Sequence, residues 1–282
     1  MSDATPAAAR EASFVGSIPE VYDRHLVPLL FAEYAADLAR RARLPMDRPA
    51  SILELAAGTG IFTERLLQRL PQNATLVFTD LNEPMLDVAR RRLATAPGVA
   101  SIASRRVDAV ALPFGDGEFD VVACQCGVMF FPDKARASAE AYRVLRPGGQ
   151  WLFNVWGSFA ENQFARLVDE TIDGFFRSDP PSFYTVPYGF HDERALRALT
   201  LEAGFADPEV ATMDRVAEAP SAEHAAVGFV RGNPLLLAIE ERGTAPADEV
   251  VDAVARALAR EYGDHPLRFP TRVRVISARR PS

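Results

Sequence analysis

Cysteine is almost missing from this 282-residue sequence: there are two, Cys124 and Cys126. They alternate along an apolar run, too few and too close for a disulfide framework or a zinc site, so no metal is expected. Positive charge is not in excess either. With 31 Lys and Arg against 38 Asp and Glu the net charge is −7, which argues against a nucleic-acid binder with a basic face. No stretch approaches the roughly 18 consecutive apolar residues of a membrane span. The first dozen residues lack the apolar centre of a secretory signal, so a loose tail (1–16) and a cytoplasmic location are the expectations. No internal repeat is visible. What remains is an ordinary globular composition, long enough to bury a full core.

The most informative stretch present is 51–67. Ile52, Leu53 and Leu55 form a short apolar run that reads as a buried parallel strand. Ala56-Ala57-Gly58-Thr59-Gly60 follows as a loop of small residues, and apolar residues at 61, 62, 66, 67 and 70 have helical spacing. Strand, small-residue turn and helix N-terminus let a ligand approach the backbone closely. A dinucleotide fingerprint would need glycine at the first, third and sixth loop positions; Gly58 and Gly60 fit, but Thr63 stands at the sixth. Read one frame earlier the pattern is acid-x-small-x-Gly-x-Gly, from Glu54 through Ala56 and Gly58 to Gly60.

Two further acids sit at strand ends. Residues 75–80 read as a second strand ending in Asp80, twenty residues past Gly60 and placed to accept hydrogen bonds from ribose hydroxyls. Residues 104–109 read as a third strand ended by Asp108, whose carboxylate could accept from an adenine amino group. Leu112-Pro113-Phe114, then Phe119-Asp120-Val121-Val122, lead into a fourth strand. Phe130-Phe131-Pro132-Asp133 and a helix follow. Leu145-Arg146-Pro147-Gly148-Gly149 then turns the chain into a fifth strand, 151–156.

Taken in this order and spacing, residues 50–156 resemble the class I S-adenosylmethionine (SAM) dependent methyltransferases, and most closely the ubiquinone/menaquinone-type small-molecule enzymes. Ala56 stands where that family usually has glycine, and Glu54 where it often has aspartate. The resemblance implies a Rossmann-like α/β fold: a seven-stranded, mostly parallel sheet with helices on both faces, plus helical lid and cap insertions. It implies SAM as cofactor, S-adenosylhomocysteine as product and a small-molecule methyl acceptor, largely apolar or aromatic, methylated at oxygen, nitrogen or carbon. The cofactor contacts it implies are Tyr22, Glu54, Ala56, Gly58, Thr59, Gly60, Asp80, Leu81, Met85, Asp108, Ala109 and Gln125.

The rest of the chain divides as a helical lid (17–48), the cofactor core (49–158), a ring-rich segment (159–190), a core continuation with helix and sixth strand (191–218), a helical cap insertion (219–264) and a last antiparallel strand (265–282). Tyr22 and His25 lie three apart, on one face if that stretch is an α-helix. The rings Phe159, Phe164, Phe175, Phe176, Phe183, Tyr184, Tyr188 and Phe190 suit either a cap's own core or an apolar pocket. His25, His191, His224 and His265 are the histidines available as a general base, and none is assigned; the catalytic residue stays open. Two other readings remain at this stage. One is a nicotinamide-dependent oxidoreductase, disfavoured by Thr63 and Asp108, and the other a SAM-binding module without catalysis, left open by Ala56. Oligomeric state is not legible.

Overall fold

The computed structural model describes residues 12–94 and 101–282; residues 1–11 of the expected tail lie outside them. Seven strands form one sheet: β1 (Ser51–Glu54), β2 (Thr75–Asp80), β3 (Ser101–Arg106), β4 (Phe119–Gln125), β5 (Leu145–Trp156), β6 (Ala206–Ala219) and β7 (Leu267–Arg279). Their order is β3-β2-β1-β4-β5-β7-β6. Only β7 runs against its neighbours, so the expected mostly parallel, seven-stranded sheet is what the chain builds. The central strands read as continuous apolar runs because both their faces are covered. Ile52, Leu53, Val121 and Val122 are sealed from solvent, each stabilising the fold by roughly 1.5–3 kcal/mol.

Strand order reverses between β1 and β4. In a parallel sheet that switch point opens a crevice at the carboxyl ends of the strands. Three helical segments run into one another ahead of β1: α1 (Ile18–Val21), a π-helix (Tyr22–Phe31) and α2 (Ala32–Arg41). The helices α3 (Ile61–Leu67), α4 (Glu83–Leu93) and α5 (Lys134–Val144) connect the parallel strands. Beyond β5 come α6 (Gln163–Asp173), α7 (Thr185–Gly189) and α8 (Glu193–Glu202). Finally α9 (Ala222–Arg231), α10 (Leu235–Arg242) and α11 (Ala247–Tyr262) fill the connection between β6 and β7.

Three local expectations change. The third strand spans Ser101–Arg106 rather than 104–109, so Asp108 lies in the loop beyond it. This is an edge strand paired only with β2, and its weak apolar pattern did not mark its ends. The fifth strand begins at Leu145, paired with Phe119, and its register shifts before Gln150 pairs with Val121; Pro147, Gly148 and Gly149 fall in that shift. Most consequential is the π-helix. Its i→i+5 turn is wider than an α-turn, so residues three apart no longer share a face. Tyr22 accordingly faces the crevice. His25 instead sits against the cap, its ring 4.2 Å from that of His224 and its Nδ1 3.0 Å from the His224 carbonyl oxygen. Burial and the neighbouring His224 hold the His25 ring below the usual histidine range.

A buried carboxylate paired with two partly exposed arginines ties the start of the sheet together. The Asp120 carboxylate accepts from the Ser51 backbone N–H at 2.8 Å, from Arg146 at 2.9 Å and from two nitrogens of Arg48. It joins β1 and β4 to Arg146 at the start of β5. Its burial raises its pKa, but those donors outweigh burial and hold the carboxyl below the ordinary aspartate range. A depressed folded-state pKa gives stability that is full at neutral pH and is lost as pH falls through that value. Replacing Asp120 by Ala leaves a strand N–H and two guanidinium groups without this partner. It should lower unfolding free energy by about 1–3 kcal/mol in urea titrations at pH 7. The wild-type–mutant gap should shrink below pH 4.

Candidate functional site

The crevice at the β1/β4 switch point opens into a cavity of about 420 Å³. One end is built from strand tips. Gly58 donates its backbone N–H to Asp80 Oδ2 at 2.9 Å, and Asn82 donates its own N–H to Asp80 Oδ1 at 2.8 Å. Asp80 is thereby fixed at the tip of β2 on the cavity wall. Burial raises its pKa, opposed by the hydrogen bonds from Asn82 and Gly58. A carboxylate has about four acceptor directions, so Oδ2 retains capacity toward the cavity.

The loop after β1 is held tightly. Gly60 adopts a left-handed backbone (φ +84°), and a Cβ there would lie 3.0 Å from that of Ala89. Ala56 (φ +50°) and Cys126 (φ +49°) are also left-handed, a conformation that costs non-glycine residues energy and that clusters at ligand sites. The departure from glycine at 56 is accommodated across the cavity floor: a Cβ on Gly127 would meet the Ala56 Cβ at 2.6 Å. Gly127 thus leaves the room that the Ala56 methyl occupies.

Nine of the twelve residues expected to touch a cofactor lie on the cavity wall: Ala56 and Gly58 in the β1 loop, Asp80, Leu81 and Met85 from β2 into α4, Asp108 and Ala109 after β3, Gln125 at the end of β4, and Tyr22 in the π-helix. Glu54, Thr59 and Gly60 lie behind it. Glu54 is wholly buried and accepts a hydrogen bond from the Thr63 hydroxyl, while its Oε1 has no partner among the described residues. It does not reach toward a ligand's ammonium as the sequence suggested; Thr63 claims it. Burial pushes its carboxyl up to about 8, with the Thr63 bond opposing and the Asp80 charge adding. Thr59 offers its carbonyl to Arg92, whose guanidinium also binds Glu64 and, at 2.6 Å, Asp23 of the π-helix. That arginine staples the lid to the loop.

The opposite end of the cavity is apolar and ringed. Leu26 and Leu30 of the π-helix, Phe130 and Phe131 after β4, and Trp156 at the tip of β5 contribute. Of the eight rings in 159–190, Phe183, Tyr184 and Tyr188 reach the wall. Phe164 packs instead on Phe229 and Phe269, with centroids 5.6 and 4.4 Å away. The cap adds Phe229 and Asn233. Sequence reading passed over Trp156, Phe229 and Asn233. Trp156 at a strand's carboxyl end carried a usable signal, whereas the cap residues carried none. Gln125 donates to the Phe31 carbonyl at 2.9 Å, tying the lid to β4. No histidine among the described residues lines the cavity.

Comparison with known proteins agrees with this geometry. A family model described as "Methyltransferase domain" matches residues 52–149. A demethylmenaquinone methyltransferase of Thermus thermophilus is 43% identical over 121 residues, covering 42% of this chain and 54% of that protein. The ubiquinone/menaquinone biosynthesis C-methyltransferase UbiE of Hydrogenovibrio crunogenus is 29% identical over 177 residues, covering 59% and 70%. The match thus spans about half of the first relative's length. Among solved structures, a putative methyltransferase from Bacillus halodurans superposes with a TM-score of 0.58 at 19% identity, covering 89% of this chain and all of that one. A Haemonchus contortus phosphoethanolamine N-methyltransferase 2 bound to S-adenosylhomocysteine gives 0.61 at 16%, covering 99% and 61%. These two share the fold.

A buried carboxyl with a raised pKa binds its proton more tightly folded than unfolded. Its contribution to stability therefore falls as pH rises from the ordinary glutamate range toward about 8. Glu54→Gln mimics the protonated form and removes that dependence. The variant should melt no lower than wild type at pH 5.5 and clearly higher at pH 8.5 by scanning calorimetry; an equal offset at both pH values would contradict the assignment.

Proposed function

We infer that this chain, which belongs to the class I SAM-dependent methyltransferases, moves the cofactor's methyl group to a small, ring-bearing and largely apolar acceptor of quinol type. The observation that carries this is the two-ended cavity: a carboxylate and bare backbone at one end, rings at the other. The polar end fits the nucleoside. A Cβ at Gly58 would meet nothing within 4 Å, so the loop backbone is open to close approach from the cavity. Asp80 would accept from the ribose hydroxyls. Asp108 would accept from the adenine amino group, with Leu81 and Met85 against the base. Tyr22, Ala56, Ala109 and Gln125 complete the wall around it. Thr59 and Gly60 act through the loop's shape, and Glu54 through Thr63.

Bound SAM supplies an electrophilic methyl on a sulfonium. The acceptor's nucleophilic atom bonds to that methyl carbon as the S–C bond breaks, its electron pair remaining on sulfur; the methylated acceptor then loses a proton. The protein's share is positioning and exclusion of water, which can supply up to about 7–11 kcal/mol. Burial raises the pKa of Tyr22, Tyr184, Tyr188 and Cys126, so these wall groups stay neutral and none serves as a base at neutral pH. A quinol hydroxyl, like a phenol's, is protonated at neutral pH, so the proton lost on methylation leaves to solvent and not to one of these wall groups. The names of the two relatives concern quinone methylation and support the same class for this chain.

S-adenosylhomocysteine should bind in calorimetric titration. Asp80→Ala should weaken it by about 10- to 100-fold, the loss of one or two charge-assisted hydrogen bonds. Labelled SAM offered with a panel of quinols and phenols should yield a methylated product by mass. Failure to bind S-adenosylhomocysteine would overturn the reading; binding without transfer to any acceptor would favour a non-catalytic module.

A further inference from the structure

Three tyrosines are buried, and two have their hydroxyls tied off. Tyr34 bonds Thr271 Oγ1 at 2.7 Å, and Tyr184 donates to the Phe229 carbonyl at 2.7 Å. Tyr188, only 4% exposed, has no hydrogen-bond partner among the described residues. It is also absent from the sealed polar atoms without partners, which include Glu54 Oε1 and Asn154 Nδ2. The ring belongs to the cavity wall, so the open side of this hydroxyl is the cavity.

Its aim is fixed by packing. Phe159 stacks on the ring at 5.2 Å, Trp156 lies tilted at 5.7 Å, and Phe164 meets it edge-on at 6.2 Å. A phenol held on several sides cannot turn to find another partner, and a polar group withdrawn from water demands one. Burial above all, and then the charge influence of Tyr184, Cys126 and Tyr34, raise its pKa. It is a neutral donor, not a base. Tyr22, the other wall tyrosine without a hydroxyl partner among the described residues, faces Asp80 and Cys126, at the cofactor's end.

We propose that Tyr188 is a specificity-determining residue whose hydroxyl donates a hydrogen bond to an oxygen substituent on the acceptor ring, so that the ringed end of the cavity selects oxygenated over purely hydrocarbon aromatics. This rests on the methyltransferase reading above and adds the residue that reads the acceptor. A site built to bond an oxygen discriminates strongly against the analogue that lacks it, because the site's own polar group is then left without a partner.

The test uses the full chain saturated with S-adenosylhomocysteine and titrated with 1-naphthol, 1-methoxynaphthalene and naphthalene. Wild type should bind both oxygenated probes at least about tenfold more tightly than naphthalene. The methoxy probe can only accept, so its preference reports a protein donor. Tyr188→Phe should bring the three affinities within about threefold while S-adenosylhomocysteine affinity and melting temperature stay near wild type. Tyr184→Phe, whose hydroxyl is already engaged, should keep the preference. The proposal is overturned if wild type does not prefer the methoxy probe, a result needing no variant, or if Tyr188→Phe keeps the full preference. Absence of S-adenosylhomocysteine binding would instead fail the underlying reading, which this measurement tells apart.

Discussion

The hydrogen bond from the Gly58 backbone to the Asp80 carboxylate is the constraint on which the site depends. It joins the loop after β1 to the tip of β2 at 2.9 Å, so the two parts of the molecule suited to a nucleoside move as one piece. The neighbouring bond from Asn82 prevents the carboxylate from turning away. Everything behind the wall serves that geometry: Thr63 holds Glu54 beneath the loop, and Arg92 ties the loop's Thr59 carbonyl to the lid. An acid at the end of a strand is common. Here the adjoining loop also sets the acid's orientation.

The lid and cap complete the enclosure by a different kind of force. Besides the Arg92 staple, the Gln125 bond and the hydrogen bond from the Tyr184 hydroxyl to the Phe229 carbonyl, rings of the enclosure meet through aromatic contact, each pair worth about 0.5–1.5 kcal/mol beyond the area it buries. Tyr22 stacks on Phe31 at 5.1 Å, Phe31 meets Trp156 at 5.9 Å, and Trp156 meets Tyr188 at 5.7 Å. Such a series crosses from the lid to the sheet to the ring-rich segment through ring-to-ring contacts. It leaves that end of the cavity lined mainly by rings and aliphatic side chains.

Much of this was legible before any coordinates. The β1 loop, Asp80 and the Leu-x-Pro-Gly-Gly turn follow from local rules: small residues where backbone must bend or be approached, and acids where strands end. The helical cap insertion at 219–264 was readable because apolar period and punctuation by Gly and Pro agree. Three things were hidden. Glu54's engagement depends on Thr63, a residue read as an obstacle to dinucleotides when its role is to hold a carboxyl. The approach of Ala56 to Gly127 joins positions far apart in the chain, where a Cβ on Gly127 would crowd both the Ala56 methyl and Cys124 Sγ. The composition of the acceptor wall depends on how the cap folds back, which no periodicity encodes.

The π-helix is the least expected element, and its geometry has a bearing on tolerance to length change. Tyr22 and Phe31 are nine residues apart, two and a half turns of an α-helix and hence opposite sides; they stack only because the wider winding makes nine residues about two turns. The spacing of this roof is thus written in its residue count as much as in its residue types. Deleting a single position between them would turn one ring of the pair away from the other even if every side chain kept its identity, so insertions and deletions here are more disruptive than most substitutions.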